Sequence, residues 1–205
     1  MSEFDKLQMP FLTTEDEEYQ MLIEVAELYQ KLKQKTAEKR SGDATEIVIR
    51  NHLLDKKLNI TLKPELMICG SNLSASRIDS LLLKPIVDPD RPTYKPHEVD
   101  TVIEVKNNCV ANQSEKIIEK FDKIAKVSEN FHYAVIILSE RKGYTYEITE
   151  ASLKNEKYRP FTLVSRKIYP RGGLYLKSNI IAMLNNNEMK KTGDWEKLIK
   201  YLKGK

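Results

Sequence analysis

The sequence is poor in the residues that build disulfide frameworks and zinc sites, and it lacks long apolar runs. Its 205 residues include only two cysteines and three histidines. These do not form a zinc site, so we interpret Cys69 and Cys109 as small buried residues of a reducing compartment. No apolar run approaches the length of a membrane span, and the first residues lack a hydrophobic signal region. These absences predict a cytoplasmic protein with no membrane partner.

Glycine is also scarce, with seven residues in the whole chain. The pair Gly172-Gly173 has no phosphate-binding loop around it, so nothing in the sequence predicts nucleotide-driven chemistry. The chain shows no internal repeat and no low-complexity segment.

Charge is unevenly distributed along the chain. The formal net charge is +4, but residues 1–30 carry a net charge of −7 and residues 151–205 a net charge of +9. A basic carboxy-terminal quarter is compatible with binding a polyanion, and it is equally compatible with a solvated lysine-rich surface.

Hydrophobic periodicity predicts an α/β fold. Helices are predicted over residues 14–40, 43–58, 115–128 and 194–202, with a short helix over 149–155 and a turn over 170–173. Strands are predicted over residues 65–70, 77–86, 99–106, 131–138 and 160–166. Ser41-Gly42 is expected to separate the first two helices. The strand–helix–strand order across residues 99–138 predicts two parallel strands. We therefore predict a mixed central sheet flanked by helices with an αβββαβ core, in which residues 1–42 form a leader and a helical extension and residues 43–205 form the main domain.

Charged side chains lie in two strand-like runs that are predicted to pair as a hairpin. Asp79 lies near the start of the first run, and Glu104 and Lys106 lie near the end of the second. Because side chains alternate along a strand, Glu104 and Lys106 share one face and Val105 points to the other. The same alternation puts Asp100 on the face of Glu104, but at the mouth of the strand, so we interpret it as distant from the site or solvated.

Two converging carboxylates form an oxygen-rich site that suits Mg²⁺, with Mn²⁺ as a substitute, and the carbonyl oxygen of Val105 could add a ligand. A bound cation would lower the pKa of a coordinated water and neutralise charge that develops on a phosphate oxygen. Lys106 would position the water or stabilise the transition state, or would act as a general base if the metal depresses its pKa. The alternative is a buried cluster of ion pairs formed by Asp79, Glu104 and Lys106.

Glu46 has two interpretations. With Asp43 as a helix cap, Glu46 occupies the place of the acidic partner in a capping box, which requires no function. Alternatively, Glu46 faces the metal site.

The residues Ile78-Asp79 and Glu104-Val105-Lys106, set in an αβββαβ order from Asp43 to Leu138, resemble the PD-(D/E)XK nuclease superfamily, which has the restriction endonuclease-like fold. The resemblance implies that residues 43–205 form a nuclease domain that hydrolyses phosphodiester bonds with Mg²⁺, usually in DNA. It also places Glu46 where many members carry a helix glutamate that completes the site. One departure is the absence of a proline before Asp79.

We therefore expect a Mg²⁺-dependent endodeoxyribonuclease in which Asp79 and Glu104 bind the metal, Lys106 acts on the attacking water and Glu46 assists. It would act as a homodimer if it cuts both strands. The alternatives are a catalytically silent domain that binds nucleic acid or protein, and an enzyme of other metal-assisted phosphate chemistry or with an RNA target.

Two sets of basic residues have both a functional and a structural interpretation. One set flanks the hairpin loop, and the other follows the helix after the Glu104 strand. The sets are Lys84, Arg91, Lys95 and His97 in the loop, and Lys116, Lys120, Lys123 and Lys126 in the helix. Each set is predicted either to contact phosphates or to be a solvated surface.

Overall fold

The structure is a computed structural model that describes residues 16–32, 36–61, 67–68, 78–108, 111–141, 157–167 and 176–204. Both cysteines lie outside the described residues, as do the leader before residue 16, the short helix predicted at 149–155 and the turn predicted at 170–173.

Helices and strands alternate over most of the described residues. The helices are α1 (Glu17–Lys31), α2 (Ala37–Asp55), α3 (Ala111–Ala125), α4 (Lys177–Asn185) and α5 (Asp194–Leu202). The strands are β1 (Met67–Ile68), β2 (Ser80–Leu83), β3 (Thr93–Tyr94), β4 (Val99–Lys106), β5 (His132–Arg141), β6 (Tyr158–Arg166) and β7 (Met189–Lys191).

The main sheet has five strands in the order β2-β4-β5-β6-β7. Strands β4, β5 and β6 are parallel to one another, whereas β2 and β7 are antiparallel to their neighbours at the two edges. The central strand β5 is apolar and buried from Tyr133 to Leu138, as expected for a strand covered on both faces. The predicted mixed α/β sheet flanked by helices is confirmed.

Helices cover both faces of the sheet. Residues 134, 136 and 138 of β5 belong to a core cluster that contains the buried faces of α1, α2, α4 and α5. Residues 133, 135 and 137 belong to a second cluster, which contains the buried face of α3. This division follows from the alternation of side chains along β5, and it places α2 and α3 on opposite sides of the sheet.

Helix α1 ends at Lys31 and α2 begins at Ala37 and continues through Ser41-Gly42, so the break predicted there is wrong. Both residues lie inside α2, although glycine in a helix interior costs about 1 kcal/mol relative to alanine. Tertiary contact helps to hold the helix there: Ser41 is buried, and its Oγ accepts a hydrogen bond from Nδ2 of Asn107 at 2.9 Å.

Because α2 begins at Ala37, Asp43 lies within the helix and does not cap it. The capping-box interpretation of Glu46 is therefore wrong. Glu46 lies in the third turn of α2 and is buried, with 8% of its surface exposed.

The predicted strand at residues 65–70 is only partly recovered. Within the described residues, β1 pairs in parallel with β3 in a separate two-stranded sheet and does not join the main sheet. Residues 60–61 lie along the outer edge of β2 instead, where Ile60 forms an antiparallel bridge with Leu82.

A polar cluster joins α1, α2 and α5. The carboxylate of Glu17 accepts hydrogen bonds from Nζ of Lys56 at 2.6 Å and from Nε1 of Trp195 at 2.8 Å. His52 lies between two carboxylates of α1, at 3.0 Å from Glu17 and 3.1 Å from Glu24. These contacts attach the N-terminal helix to the rest of the fold.

The described C-terminal part contains two elements that the sequence pattern did not predict, the helix α4 and the edge strand β7. Helix α5 has the predicted limits, but its N-cap is Gly193, whose φ of 79° is in the left-handed region. Asp194 is therefore the first helical residue, and its carboxylate accepts a hydrogen bond from the backbone N–H of Thr162 at 3.1 Å.

Candidate active site

Asp79 and Glu104 meet on one face of the sheet. Ser80 pairs with Ile103 in the antiparallel register of β2 and β4, which brings Asp79 next to Glu104. Both carboxylates are buried, with 4% and 5% of each residue exposed. The backbone N–H of Val105 donates to Oδ2 of Asp79 at 2.8 Å and so holds this carboxylate beside β4.

The ammonium group of Lys106 lies where the predicted metal ligands converge. Its Nζ is 2.6 Å from Oε1 of Glu104, 3.2 Å from the carbonyl oxygen of Val105 and 3.5 Å from Oδ2 of Asp79. Three oxygens from three residues therefore surround one positive charge. Glu104 and Lys106 lie on the same face, as the alternation predicts.

The second oxygen of Glu104 is bound by a lysine of α3. Nζ of Lys120 lies 2.5 Å from Oε2, and 14% of the Lys120 side chain is exposed. The sequence pattern did not predict that Lys120 belongs to the site. Its position carried a signal, because Lys120 lies three residues after Ile117 and four before Ile124, on the apolar stripe of the helix.

Helix α2 supplies two further charged groups. The charge of Glu46 contributes to raising the pKa of Lys106, so the structure places Glu46 within electrostatic range of the site. One turn further along, Nη2 of Arg50 donates a hydrogen bond to the backbone carbonyl of Asp79 at 3.2 Å. Helix α2 thus contributes both an acidic and a basic residue beside Asp79, which directly precedes β2.

Burial and charge shift the pKa values of two site residues. Burial raises the pKa of Asp79, and repulsion from the Glu104 carboxylate raises it further. Burial alone would lower the pKa of Lys106, but Glu104 and Asp79 outweigh that effect and raise it. Lys106 is therefore protonated near neutral pH and donates hydrogen bonds. The interpretation of Lys106 as a general base supposes that a bound metal depresses this pKa, and it stays a prediction.

The donor set fits a hard divalent cation. Mg²⁺ takes oxygen ligands, often only one or two of them carboxylates, and keeps several waters. Asp79, Glu104 and the Val105 carbonyl offer such a set around a point that already holds a positive charge. Within the described ranges, no group of three or more His, Cys, Asp or Glu residues is placed to hold a metal ion, so two carboxylates are the relevant set.

Asp100 does not share the face of Glu104, and that expectation is wrong. The register of β2 and β4 shifts between Leu82 and Leu83, so that Leu82 pairs with Thr101 whereas Leu83 pairs with Val99. This bulge interrupts the alternation, because one extra residue reverses the direction of the side chains. Asp100 lines a separate groove with Leu202 of α5.

The basic residues of the hairpin loop lie at the other end of the hairpin from the site. Strand β2 runs from Asp79 towards Lys84, and β4 returns from Val99 towards Glu104. In the loop, Arg91 binds Glu98 at 2.9 Å and lies over the ring of Tyr94. These contacts support a structural interpretation of Arg91.

The described fold is a five-stranded mixed sheet with helices on both faces. Two solved structures are similar to it: P. aeruginosa ATCC27853 NucC and E. coli MS115-1 NucC, both in a cAAA-bound form. Each is 11% identical to this chain with a TM-score of 0.50. The alignments cover 91% and 90% of this chain and 89% and 88% of the NucC chains. At this identity the likeness shows the fold alone.

No protein-family model matches the chain, and no curated protein matches it in sequence. In the part of the chain that the structure describes, no helix is long and apolar enough to cross a membrane.

Proposed function

We propose that the chain is a Mg²⁺-dependent endodeoxyribonuclease that hydrolyses phosphodiester bonds. The observation that carries this proposal is the arrangement of Asp79, Glu104 and the Val105 carbonyl around one cationic centre. The resemblance of these residues to the PD-(D/E)XK superfamily supports it. The fold that the chain shares with the two NucC structures is in keeping with it.

Asp79, Glu104 and the Val105 carbonyl would hold the metal ion. When bound, Mg²⁺ supplies a coordinated water of lowered pKa and positive charge beside the phosphate. The chain itself holds the two carboxylates apart and oriented through the Val105 N–H and the lysine ammonium groups. It also buries them, which strengthens their attraction for a cation because the surroundings have a low dielectric constant.

Lys106 would act as a cationic donor. Because a lysine ammonium is ordinarily protonated near neutral pH, it can donate a hydrogen bond to the attacking water or to a phosphate oxygen on which charge develops. Glu46 would assist from α2 by keeping Lys106 charged and near the carboxylates.

The test is incubation of supercoiled and linear DNA with the full chain in Mg²⁺ or Mn²⁺, with single-stranded DNA and RNA as parallel substrates. Asp79→Ala and Lys106→Ala should abolish cleavage, whereas the matched controls Asp100→Ala and Lys84→Ala should retain it. EDTA should stop the reaction. Equal cleavage by the wild type and the two site variants, or activity that persists in EDTA, would sink the proposal.

A homodimer is the assembly we propose if both strands are cut. Conversion of supercoiled plasmid directly to the linear form, without accumulation of the nicked form, would support it, together with the mass of a dimer in size-exclusion chromatography with light scattering. Accumulation of nicked plasmid by a monomeric protein would contradict it.

The second candidate is a catalytically silent domain that retains the fold. The observation that favours it is the complete ion pairing of Glu104, since Lys106 binds one of its oxygens and Lys120 the other. A silent domain would shift DNA or RNA in a gel without cleaving it in any divalent cation, and its affinity would be insensitive to Asp79→Ala.

A further inference from the structure

Lys120 is a partly buried lysine of α3, with 14% of its side chain exposed. The helix packs on the sheet through Ile117, Phe121 and Ile124, and Lys120 projects from this packed side towards Glu104. By contrast, Lys116 and Lys123 of the same helix are exposed. Burying an ammonium group costs free energy unless the group is paired, so the contact with Glu104 stabilises the position of Lys120.

The two lysines bind different oxygens of Glu104. Lys106 binds Oε1, and its Nζ is also within 3.5 Å of Asp79 and 3.2 Å of the Val105 carbonyl. Lys120 binds Oε2. A cation that replaced the Lys106 ammonium at Oε1 would leave the Lys120 contact at Oε2 intact.

On the basis of the proposed function, we propose that Lys120 is a positioning residue for the divalent cation. It holds Glu104 through Oε2, so that Oε1 faces Asp79 and the Val105 carbonyl, and it remains there when the cation displaces the Lys106 ammonium. A glutamate has three rotatable side-chain bonds, and a ligand that is already held by a second contact loses less conformational freedom when it binds a metal.

The direction in which metal affinity changes when Lys120 is removed distinguishes a positioning role from a purely electrostatic one. If Lys120 only adds positive charge near the site, its removal lowers the repulsion and tightens cation binding. If Lys120 positions Glu104, its removal loosens the ligand and weakens cation binding. Loss of a group that orients a metal ligand costs about 10–100-fold in affinity.

The experiment is calorimetric titration of the full chain with Mn²⁺, without nucleic acid, so that the readout is independent of cleavage. Lys120→Met should weaken Mn²⁺ binding by at least about tenfold. Lys120→Arg, which keeps the charge and the donor, should restore most of the affinity, and the matched control Lys123→Met on the exposed side of α3 should bind as the wild type does. If Lys120→Met does not fold, Lys120→Gln replaces it, because glutamine keeps a hydrogen-bond donor without the charge. Lys120→Gln should also bind Mn²⁺ more weakly than the wild type does.

If the wild type binds Mn²⁺ and folded Lys120→Met binds it equally or more tightly, the positioning role of Lys120 is overturned. The proposed function is then unaffected. A wild type that binds no divalent cation would overturn both. Failure of Lys120→Arg to recover affinity would also contradict the positioning role, because the arginine retains the donor that the role requires.

Discussion

Replacing Lys106 by methionine should separate the stability of the site from its chemistry. The substitution keeps an unbranched side chain and removes the charge that contacts Glu104, Asp79 and the Val105 carbonyl. Burial opposes that charge, but the carboxylates outweigh burial and raise the pKa of Lys106 above its ordinary value of 10.5. The ion pairs therefore stabilise the fold fully below pH 10.5 and are lost only as the pH rises through the raised pKa.

The expected loss of folding stability depends on which partners Glu104 and Asp79 keep when the Lys106 ammonium is removed. Breaking a fully buried ion pair by removing one partner costs about 3–5 kcal/mol. Here the Lys106 side chain is 26% exposed, Glu104 keeps Lys120, and Asp79 keeps the Val105 N–H. We therefore expect a loss of about 2 kcal/mol for Lys106→Met in EDTA, which is a fall in Tm of about 4–8 °C for a chain of this length.

Mg²⁺ should then stabilise the variant more than it stabilises the wild type. In the wild type a cation must displace the ammonium group, whereas in Lys106→Met that centre carries no competing charge. Mg²⁺ at about 100 times its Kd adds about 2.7 kcal/mol of stability, which would offset the loss. Cleavage should stay abolished at every Mg²⁺ concentration, because the donor to the water or phosphate is gone.

The assay is thermal unfolding in EDTA and across a Mg²⁺ titration, with Lys84→Met as the control at an exposed lysine. The reasoning is refuted if Lys106→Met and Lys84→Met have the same Tm in EDTA. It is also refuted if Mg²⁺ raises the Tm of the wild type as much as that of Lys106→Met, since the ammonium would then not occupy the position of the cation.

Three further substitutions test other parts of the structure. Asp79→Asn should abolish cleavage yet raise the Tm near neutral pH, because burial and the Glu104 carboxylate raise the pKa of Asp79 and so disfavour its charged form. This gain in Tm should vanish as the pH falls through the raised pKa, where Asp79 becomes neutral. A gain in Tm that is independent of pH would contradict the prediction. Glu17→Gln should cost about 1 kcal/mol, or about 2–4 °C in Tm, relative to the exposed control Glu196→Gln, because Glu17 joins three helices. Burial raises the pKa of Glu17, but its hydrogen bonds lower it below 4.5, so its contribution is present above pH 4.5 and is lost as the pH falls through the lowered pKa; a cost that persists at lower pH would rule this out. Asp100→Asn should leave the cleavage rate unchanged, and a loss as large as that of Asp79→Asn would show that the bulge does not separate Asp100 from the site.

Much of the central sheet could be predicted because its strands and helices are locally consistent. Strand β4 has the predicted limits, and the βαβ unit through α3 and β5 forms two parallel strands. In these segments the continuous apolar run of β5 and the helical apolar period of α3 coincide with the surfaces that pack, so burial reinforces the local preference. The prediction failed at Ser41-Gly42, where packing of Ser41 against Asn107 competes with a weak local preference against the helix.

The sequence by itself determined the pairing of Asp79 with Glu104 and Lys106, because their two strand-like runs are predicted to pair as a hairpin and alternation places Glu104 and Lys106 on one face. Only the tertiary structure decided which other charges join them. Lys120 comes from α3 and Glu46 from α2, on opposite sides of the sheet. A bulge turns Asp100 away from the face of Glu104. The physical reason is that helix packing and strand register depend on side chains distant in sequence, so a local pattern specifies the direction of a charge but not the partner that it meets.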